Sequence, residues 1–283
     1  MLIFQVFYNS GDNIMKKIHF DKYDAYEDRL LYDALCGRKS GYLFQRYLKK
    51  NTISSMLKGI DNHALHIKRD DNVPGLILGA HSYMKNIDQY IHESKAVAND
   101  MKQIRKDNPR VFAFFDSLKN YLNQKGILLR PARYQGYDSS PFIIRTTFSS
   151  AKNDVILPHE DEAQLYFSGQ SGFEIQRCTN RPIIGLNICV KDDFKSKLII
   201  WNFKSNKCLR KKFNIQYTGY PYHPSILNKY QNIEIKNREG DLYFFDTRNI
   251  HSVISSKYNK HGKRVTVSFF ISFLDKKTVI YWT

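Results

Sequence analysis

The stretch LPHEDEAQL, residues 157–165, places an imidazole and three carboxylates at four consecutive positions. It follows a run of β-branched and aromatic residues that is typical of a strand. One interpretation is a solvated acidic turn at the end of that strand. The other is that His159 and Asp161 are two ligands of one metal ion, with Glu160 and Glu162 directed away from it into solvent. The motif alone does not decide between them.

Two later segments carry residues that would complete such a site. In EGDLYFFDTRNIHSVIS, a Gly-Asp turn precedes an apolar strand, and His251 follows 92 positions after His159. Arg264 then opens the alternating strand RVTVSFFISF, with Thr266 on the same side of the strand. The chain therefore carries His-x-Asp, a later His, and an Arg that is followed two residues on by a hydroxyl.

This order has a chemical reason. Two neutral imidazoles and one carboxylate on one face of Fe(II) leave three adjacent coordination positions open. A 2-oxo acid can fill two of them and dioxygen the third. If the acid is 2-oxoglutarate, its distal carboxylate needs a fixed cation, and Arg offers a planar, bidentate partner.

These motifs resemble those of the Fe(II)/2-oxoglutarate-dependent oxygenases, which are built on a double-stranded β-helix, the cupin-like jelly roll. The resemblance covers roughly residues 127–274. The segment IIGLNICVKDDFKSKLIIWN is similar to a strand pair of that fold, and REGDLYFFDTRNIHSV is similar to the Gly-Asp turn that leads into the distal ligand. Each piece is weak alone, whereas all of them in the family's order favour the metal interpretation strongly.

The resemblance implies that His159, Asp161 and His251 are the catalytic iron ligands. It also implies that Arg264 and Thr266 hold 2-oxoglutarate and that dioxygen is the oxidant. The chain looks most similar to small bacterial enzymes that act on free or N-substituted amino acids, a group with both hydroxylases and aliphatic halogenases. Halogenases carry Gly or Ala where Asp161 stands, so we expect this chain to hydroxylate an unactivated C–H bond.

The fold class expected is α+β, in one domain spanning 1–283. Apolar stripes at helical spacing, as in DRLLYDALCG and SGYLFQRYLKKNTISSMLKGI, predict a mostly helical scaffold over 1–125. Eight short runs of strand-forming residues after Gly126 predict a jelly-roll catalytic core over 126–283, interrupted by an insert at about 203–232. Whether the insert forms a lid is left open.

Three residues are candidates for binding the substrate. Arg145 lies mid-strand among apolar residues and could hold a substrate carboxylate, although a structural salt bridge is an equal alternative, as for Arg130 and Arg133. Trp201 could wall a pocket or belong to the core. His223, in the aromatic and Pro-rich GYPYHPS, could belong to a lid, with a surface loop as the favoured alternative.

The composition narrows the setting and the partners. Four widely spaced cysteines and no recognisable secretory signal favour a reducing, cytoplasmic location, and no run is long enough to span a membrane. The formal net charge of +17 is spread over many lysines, which favours a Lys-rich solvated surface but leaves nucleic-acid binding open. The strand after Arg264 lacks the further Arg residues of related nucleic-acid demethylases, which disfavours that partner.

A small-molecule oxygenase is therefore the expected function. The first alternative is an oxygenase acting on nucleic acid or on protein side chains. The second is a non-catalytic jelly-roll binding module in which the His and Asp residues are incidental. The identity of the substrate and the oligomeric state do not follow from the sequence.

Overall fold

A computed structural model describes residues 18, 20–61, 67–68, 75–148, 154–215 and 222–283. The N-terminal stretch that was considered for a secretory signal lies outside these residues. Part of the predicted insert, including the first residues of GYPYHPS, also lies outside them.

The α-helices of the described chain follow amphipathic patterns. Within α3, for example, Ile87, Tyr90, Ile91 and Met101 are buried, and the Asn86 side chain caps its first turn by accepting a hydrogen bond from the Gln89 amide at 2.8 Å. The helices are α1 (Asp28–Leu35), α2 (Lys50–Asp61), α3 (Ile87–Asp107), α4 (Ala113–Gln124), α5 (Lys207–Lys212) and α6 (Pro224–Leu227). Short 3₁₀ segments cover Glu162–Tyr166, Ser168–Gln170 and Glu174–Arg177.

The strands cover all eight runs that the sequence predicted after Gly126. In chain order the strands are β1 (Phe20–Tyr23), β2 (Gly41–Phe44), β3 (Ile67–Lys68), β4 (Gly75–Leu78), β5 (Leu128–Pro131), β6 (Arg133–Tyr134), β7 (Tyr137–Asp138), β8 (Ile143–Phe148), β9 (Asp154–His159), β10 (Ile184–Asp192), β11 (Lys197–Lys204), β12 (Asn232–Lys236), β13 (Leu242–Asp246), β14 (Asn249–Ile254), β15 (Lys263–Asp275) and β16 (Thr278–Trp282).

One helix prediction was wrong. The stripe in SGYLFQRY does not form a helix, because Gly41–Phe44 is β2, which pairs with β13 and is buried along its whole length. A short apolar run fits a buried strand as well as a helix, and the distant partner strand decides. The four strands β1 to β4 of the N-terminal half all join the large sheet, so the region predicted as a mostly helical scaffold also contributes strands to that sheet.

Two sheets organise the C-terminal half. The large sheet has the order β1-β2-β13-β10-β15-β8-β4-β3, with β16 and β5 joined at β15, and the smaller sheet has the order β12-β11-β14-β9. Their inner faces share one apolar cluster, in which Tyr243 and Phe245 of the large sheet pack with Leu198 and Val253 of the small one. The sheets therefore face each other.

The helices α1 to α4 cover the outer face of the large sheet. The main apolar cluster joins Leu31 of α1, Met101 of α3 and Phe114 of α4 to Val265 and Val267 of β15. Because successive side chains of a strand point to opposite faces, burying these valines against the helices turns the alternate residues of β15 toward the small sheet. This alternation positions the candidate site.

Gly240 gives a test of the turn before β13. It has φ +89°, and an added Cβ would lie 2.6 Å from the Leu48 carbonyl oxygen; Gly126, at φ +69°, has nothing within 4 Å of that position. We expect Gly126→Ala to lower the free energy of unfolding by about 1 kcal/mol through backbone strain alone. Gly240→Ala should lose at least about 2 kcal/mol, since the clash adds to that strain. Urea unfolding of both variants measures this, and equal losses would contradict the crowding at Gly240.

Candidate metal centre and cavity

The pairing of β9 with β14 brings two histidines side by side. His159 and His251 are direct partners in the register of these antiparallel strands, and their ring centroids are 4.3 Å apart. Asp161 follows two residues after His159, where the strand has ended, and its backbone amide donates to the Thr247 carbonyl at 3.0 Å. The chain turn thus brings the Asp161 side chain back toward both imidazoles.

The three side chains form a compact ligand set. His251 Nε2 lies 3.5 Å from Asp161 Oδ2, and His159 Nε2 lies 3.9 Å from Asp161 Oδ1. One ligand atom from each residue can be chosen so that all lie within 4.8 Å of one another. Ligands at about 2.1 Å from one ion and at right angles to each other are about 3 Å apart. The set is slightly wider than that and fits a metal after small side-chain adjustments.

Backbone hydrogen bonds fix which nitrogen each histidine presents. His159 Nδ1 lies 2.7 Å from the Leu157 carbonyl, and His251 Nδ1 lies 2.9 Å from the Asn249 carbonyl. A carbonyl oxygen can only accept, so Nδ1 carries the proton in each ring and Nε2 is left as the metal-binding atom.

The electrostatics of the cluster favour a bound cation. Burial, reinforced by His159, lowers the pKa of His251 well below its usual value, which keeps that imidazole neutral. Burial raises the pKa of Asp161, against the opposing effects of His159 and Arg145. A divalent ion would compensate the buried carboxylate and stabilise its charged form.

Glu160 corrects one expectation, because it is not solvated. It is 2% exposed, accepts from Arg210 Nη1 at 3.2 Å and from the Ala163 amide at 3.0 Å, and lies 3.4 Å from the Tyr222 hydroxyl. Burial raises the pKa of Glu160 to about 7, against the opposing charge of Arg210. Glu162 is partly buried beside the same guanidinium. The ligand turn is therefore tied to α5 in the insert.

Arg264 is a buried cation that has no carboxylate within ion-pair distance among the described residues. It is 4% exposed, and it donates from Nε to Ser196 Oγ at 3.1 Å and from Nη2 to the Tyr243 hydroxyl at 3.0 Å. Thr266 and Ser268 follow on the same face of β15, with their hydroxyl oxygens 3.5 Å apart. Both neutral contacts orient the guanidinium without balancing its charge.

A cavity of ≈ 200 Å³ between the two sheets contains these groups. Its lining includes all three candidate metal ligands as well as Arg264 and Thr266. From the sequence, these residues could be grouped only by the order of their motifs along the chain. The residues are His159, Asp161, His251, Arg264 and Thr266.

Arg145 also lines the cavity, as the direct partner of Thr266 between β8 and β15. The other two arginine candidates form salt bridges elsewhere, Arg130 with Glu174 at 2.6 Å and Arg133 with Asp138 at 2.8 Å.

Trp201 and His223 are placed outside the lining of this cavity. Trp201 packs against a separate apolar cluster and its carbonyl accepts from the Asn249 side chain at 3.0 Å. His223 is exposed and caps α6, where its Nδ1 accepts from the Ser225 amide at 3.3 Å. The core alternative for Trp201 and the surface alternative for His223 therefore describe the arrangement better than substrate contact does.

The polar residues of the cavity lining that sequence reasoning missed include His81, Gln170 and Tyr243. Tyr243 alternates with Phe245 on β13, and this period of two could have placed it on the inner face. His81 lies in a connecting segment and Gln170 in a three-residue 3₁₀ turn, and neither is long enough to show an apolar period. Gln170 donates to the carbonyls of Ser82 and Lys85, at 2.6 and 3.1 Å, and so fixes the segment that carries His81.

The chain is similar to known oxygenases in sequence and in fold. No family model matches the sequence. The L-isoleucine 3(1)-dioxygenase of Pantoea ananatis (strain AJ13355) is 29% identical over 253 residues, covering 86% of this chain and 83% of the relative. The crystal structure of an N-substituted L-amino acid dioxygenase from Burkholderia ambifaria AMMD superposes with a TM-score of 0.57 at 10% identity, covering 90% and 91% of the two chains. Its complex with α-ketoglutarate gives a TM-score of 0.55 at 9% identity, with 89% and 90% covered.

These likenesses confirm the family resemblance seen in the sequence motifs. The two crystal structures, at 10% and 9% identity, show the fold alone, and the Pantoea ananatis relative, at 29% identity, carries the likeness in sequence. Among the described helices, none is long and apolar enough to cross a bilayer.

The Glu160–Arg210 pair gives a test of how the ligand turn is held. Arg210→Met should lower the free energy of unfolding by about 3–5 kcal/mol, because it leaves a carboxylate buried without its cation. Adding Glu160→Gln should restore part of that loss. Arg133→Met, at the Arg133–Asp138 pair with side chains 46% and 51% exposed, should lose less than about 1 kcal/mol. Similar losses in the two single variants, measured by urea unfolding, would contradict the buried pair.

Proposed function

We infer that this chain, a dioxygenase of the Fe(II)/2-oxoglutarate-dependent oxygenase superfamily, hydroxylates an unactivated C–H bond of a small amino acid, free or N-substituted. The single observation that carries the inference is the cavity in which two Nε2-presenting imidazoles and one carboxylate meet two arginines. The sequence relative's name, L-isoleucine 3(1)-dioxygenase, supports the substrate class. We interpret the two facing sheets as the double-stranded β-helix of that superfamily, in one domain.

The proposed metal is Fe(II), held by His159 Nε2, His251 Nε2 and the Asp161 carboxylate. When bound, Fe(II) supplies the redox chemistry that activates dioxygen. The chain's own part is to keep both imidazoles neutral and oriented, through the Nδ1 bonds to the Leu157 and Asn249 carbonyls. Because Asp161 occupies a ligand position, and a 2-oxo acid and dioxygen would take the three positions that remain, none is left for chloride, which supports hydroxylation over halogenation.

Arg264 is the proposed site for the distal carboxylate of 2-oxoglutarate. A guanidinium that is buried without a carboxylate partner is destabilising unless an anion joins it. Ser196 and Tyr243 engage Nε and Nη2, and these contacts leave Nη1 for the co-substrate. Burial raises the pKa of Tyr243, so its phenol stays protonated and can donate to the same carboxylate, as can the Thr266 hydroxyl.

Arg145 is the proposed partner of the substrate's own carboxylate. It lines the cavity and its charge acts on Asp161, so an amino acid bound to it would lie beside the metal ligands. The cavity of ≈ 200 Å³ is smaller than most ligand pockets, which favours a small molecule over a nucleic-acid or protein substrate. The cytoplasmic location stays a prediction, and the unpaired state of all four cysteines is in line with it.

The function is tested by product analysis. With Fe(II), 2-oxoglutarate and air, a panel of free and N-acyl aliphatic amino acids should yield succinate together with a product heavier by one oxygen atom. Mass spectrometry should find no chlorinated product in excess chloride. Succinate that never depends on any member of the panel would remove the amino-acid assignment, and a chlorinated product would mean that Asp161 is not a ligand.

The same preparation tests the ligand set. His159→Ala and His251→Ala should each abolish both Mn(II) binding, measured by calorimetry, and succinate formation, because two remaining ligands hold a first-row ion weakly. His223→Ala is the matched control, since His223 is exposed and lies outside the cavity. Metal binding that survives at His251→Ala would contradict the site.

Arg264→Lys tests the co-substrate site. Lysine cannot reproduce the planar fork, so the KM for 2-oxoglutarate should rise by at least about tenfold, as for loss of a charge-assisted hydrogen bond. Mn(II) affinity should stay unchanged. Arg130→Lys makes the same chemical change at a bidentate salt bridge outside the cavity and should leave the KM unaltered. An unchanged KM in Arg264→Lys would shift the assignment to Arg145.

A further inference from the structure

A second cavity, of ≈ 920 Å³, has no described lining residue in common with the first, and we call it the basic cleft. Three connecting segments form most of it: the one from β2 into α2, the turn between β10 and β11, and the turn between β12 and β13. Its exposed cations come from these three segments and from the adjoining ends of α2 and β12. They are Arg46, Lys49, Lys50, Lys195, Lys236 and Arg238.

The cleft is electrostatically unbalanced. None of those six cations has an ion-pair partner within the described ranges, whereas the seventh, Lys197, pairs with Glu234 at 2.9 Å. Two carboxylates also line the cleft. Asp192 accepts hydrogen bonds from the Ser196 amide and hydroxyl at 2.8 and 2.9 Å, and Glu239 forms a salt bridge with Lys191 at 3.0 Å. An excess of positive charge converging on a concave surface attracts multivalent anions.

Asn237 gives an independent sign of a ligand. It lines the cleft and is 4% exposed, yet both its Oδ1 and its Nδ2 are buried and find no hydrogen-bond partner among the residues described. Leaving such groups unpaired costs about 1–3 kcal/mol each. An amide in this state matches a ligand that both donates and accepts hydrogen bonds.

The walls of the cleft are held in place before any ligand binds. The buried Asp241 carboxylate accepts from the Arg46 amide at 3.0 Å and from the Arg238 amide at 2.9 Å. This one side chain ties the segment before α2 to the turn before β13. A fixed spacing of cations lowers the entropy that a bound anion must overcome.

We propose that the basic cleft is a binding site for a small phosphorylated anion. The six cations contact the phosphate oxygens, and Asn237 pairs with a donor–acceptor edge of the ligand, either a protonated phosphate or a nucleobase. Within the part of the chain that the structure describes, no aromatic side chain lines the cleft. Single-stranded nucleic acid is usually held by stacking on aromatic side chains, so a small anion fits better than a polynucleotide.

The cleft lies next to Arg264, the buried guanidinium of the cavity between the two sheets. Ser196 lines the cleft, and its hydroxyl accepts the hydrogen bond from Arg264 Nε while it donates to Asp192. The proposal does not depend on the role assigned to Arg264, because binding can be measured on the metal-free chain without any turnover.

The test is calorimetric titration of the full, metal-free chain with inorganic pyrophosphate and with ATP. Saturable binding of one ligand per chain is expected. Tighter binding of ATP would assign a nucleotide, and equal binding a simple polyphosphate. The triple variant Lys50→Gln, Lys195→Gln, Lys236→Gln should weaken binding by at least about tenfold.

Two controls separate the cleft from the net charge and from general stability. Lys102→Gln, Lys106→Gln, Lys119→Gln removes the same charge from exposed helix positions and should change the affinity by less than about twofold. Asn237→Leu should weaken binding by about tenfold without lowering Tm, because it deletes polar atoms that are unpaired in the free protein.

Three results would overturn the proposal. One is the absence of saturable binding of either phosphate at millimolar concentration. Another is an equal loss of affinity in the two triple variants. The third is binding of a mixed-sequence single-stranded oligonucleotide, lost in the cleft variant, when neither small phosphate binds; that would assign the cleft to nucleic acid.

Discussion

The register between β9 and β14 is the constraint on which the candidate centre depends. It sets His159 opposite His251, and each ring is then locked by a carbonyl two residues earlier on its own strand. A slip by one residue would turn one histidine to the other face of the small sheet. The positions of the two imidazoles are therefore set by the pairing of the backbones, and only small side-chain movements are needed to bind a metal.

A second consequence is that the centre concentrates groups whose burial is unfavourable in the absence of ligands. Burial acts against the charged form of Asp161 and of His251. Arg264 contacts two hydroxyl groups and, within the described part of the chain, has no carboxylate at ion-pair distance. A divalent cation and a dicarboxylate have the charges that would offset these groups. The buried charges of Asp161 and Arg264 are therefore opposite in sign to those of the proposed metal and co-substrate. The charge of Glu160, by contrast, is already balanced by Arg210.

The sequence predicted the parts of the site that are local or ordered along the chain. His-x-Asp is readable because both ligands lie within three residues, and Arg264 and Thr266 because they alternate on one long strand. Glu160 was expected in solvent. Its partner Arg210 is 50 residues away in the chain, and no local sequence pattern predicts that pairing. Likewise, the spacing of Tyr42 to Phe44 fits an apolar stripe of a helix. These residues form a strand because they pair with β13, about 200 residues later in the chain. Tertiary partners, more than propensity, account for the misses.

The excess positive charge has two different physical settings in this fold. Arg264 and Arg145 lie in a cavity between the sheets, where low polarisability strengthens each charge and favours a specific, oriented anion. The cations of the basic cleft are exposed and numerous, and salt screens them individually, so only several acting together can hold a ligand. Ser196 touches both settings, since one hydroxyl receives Arg264 and lines the cleft. One hydroxyl therefore links the cleft to the buried guanidinium of the cavity, and some of the lysines that are spread along the sequence come together beside Arg264.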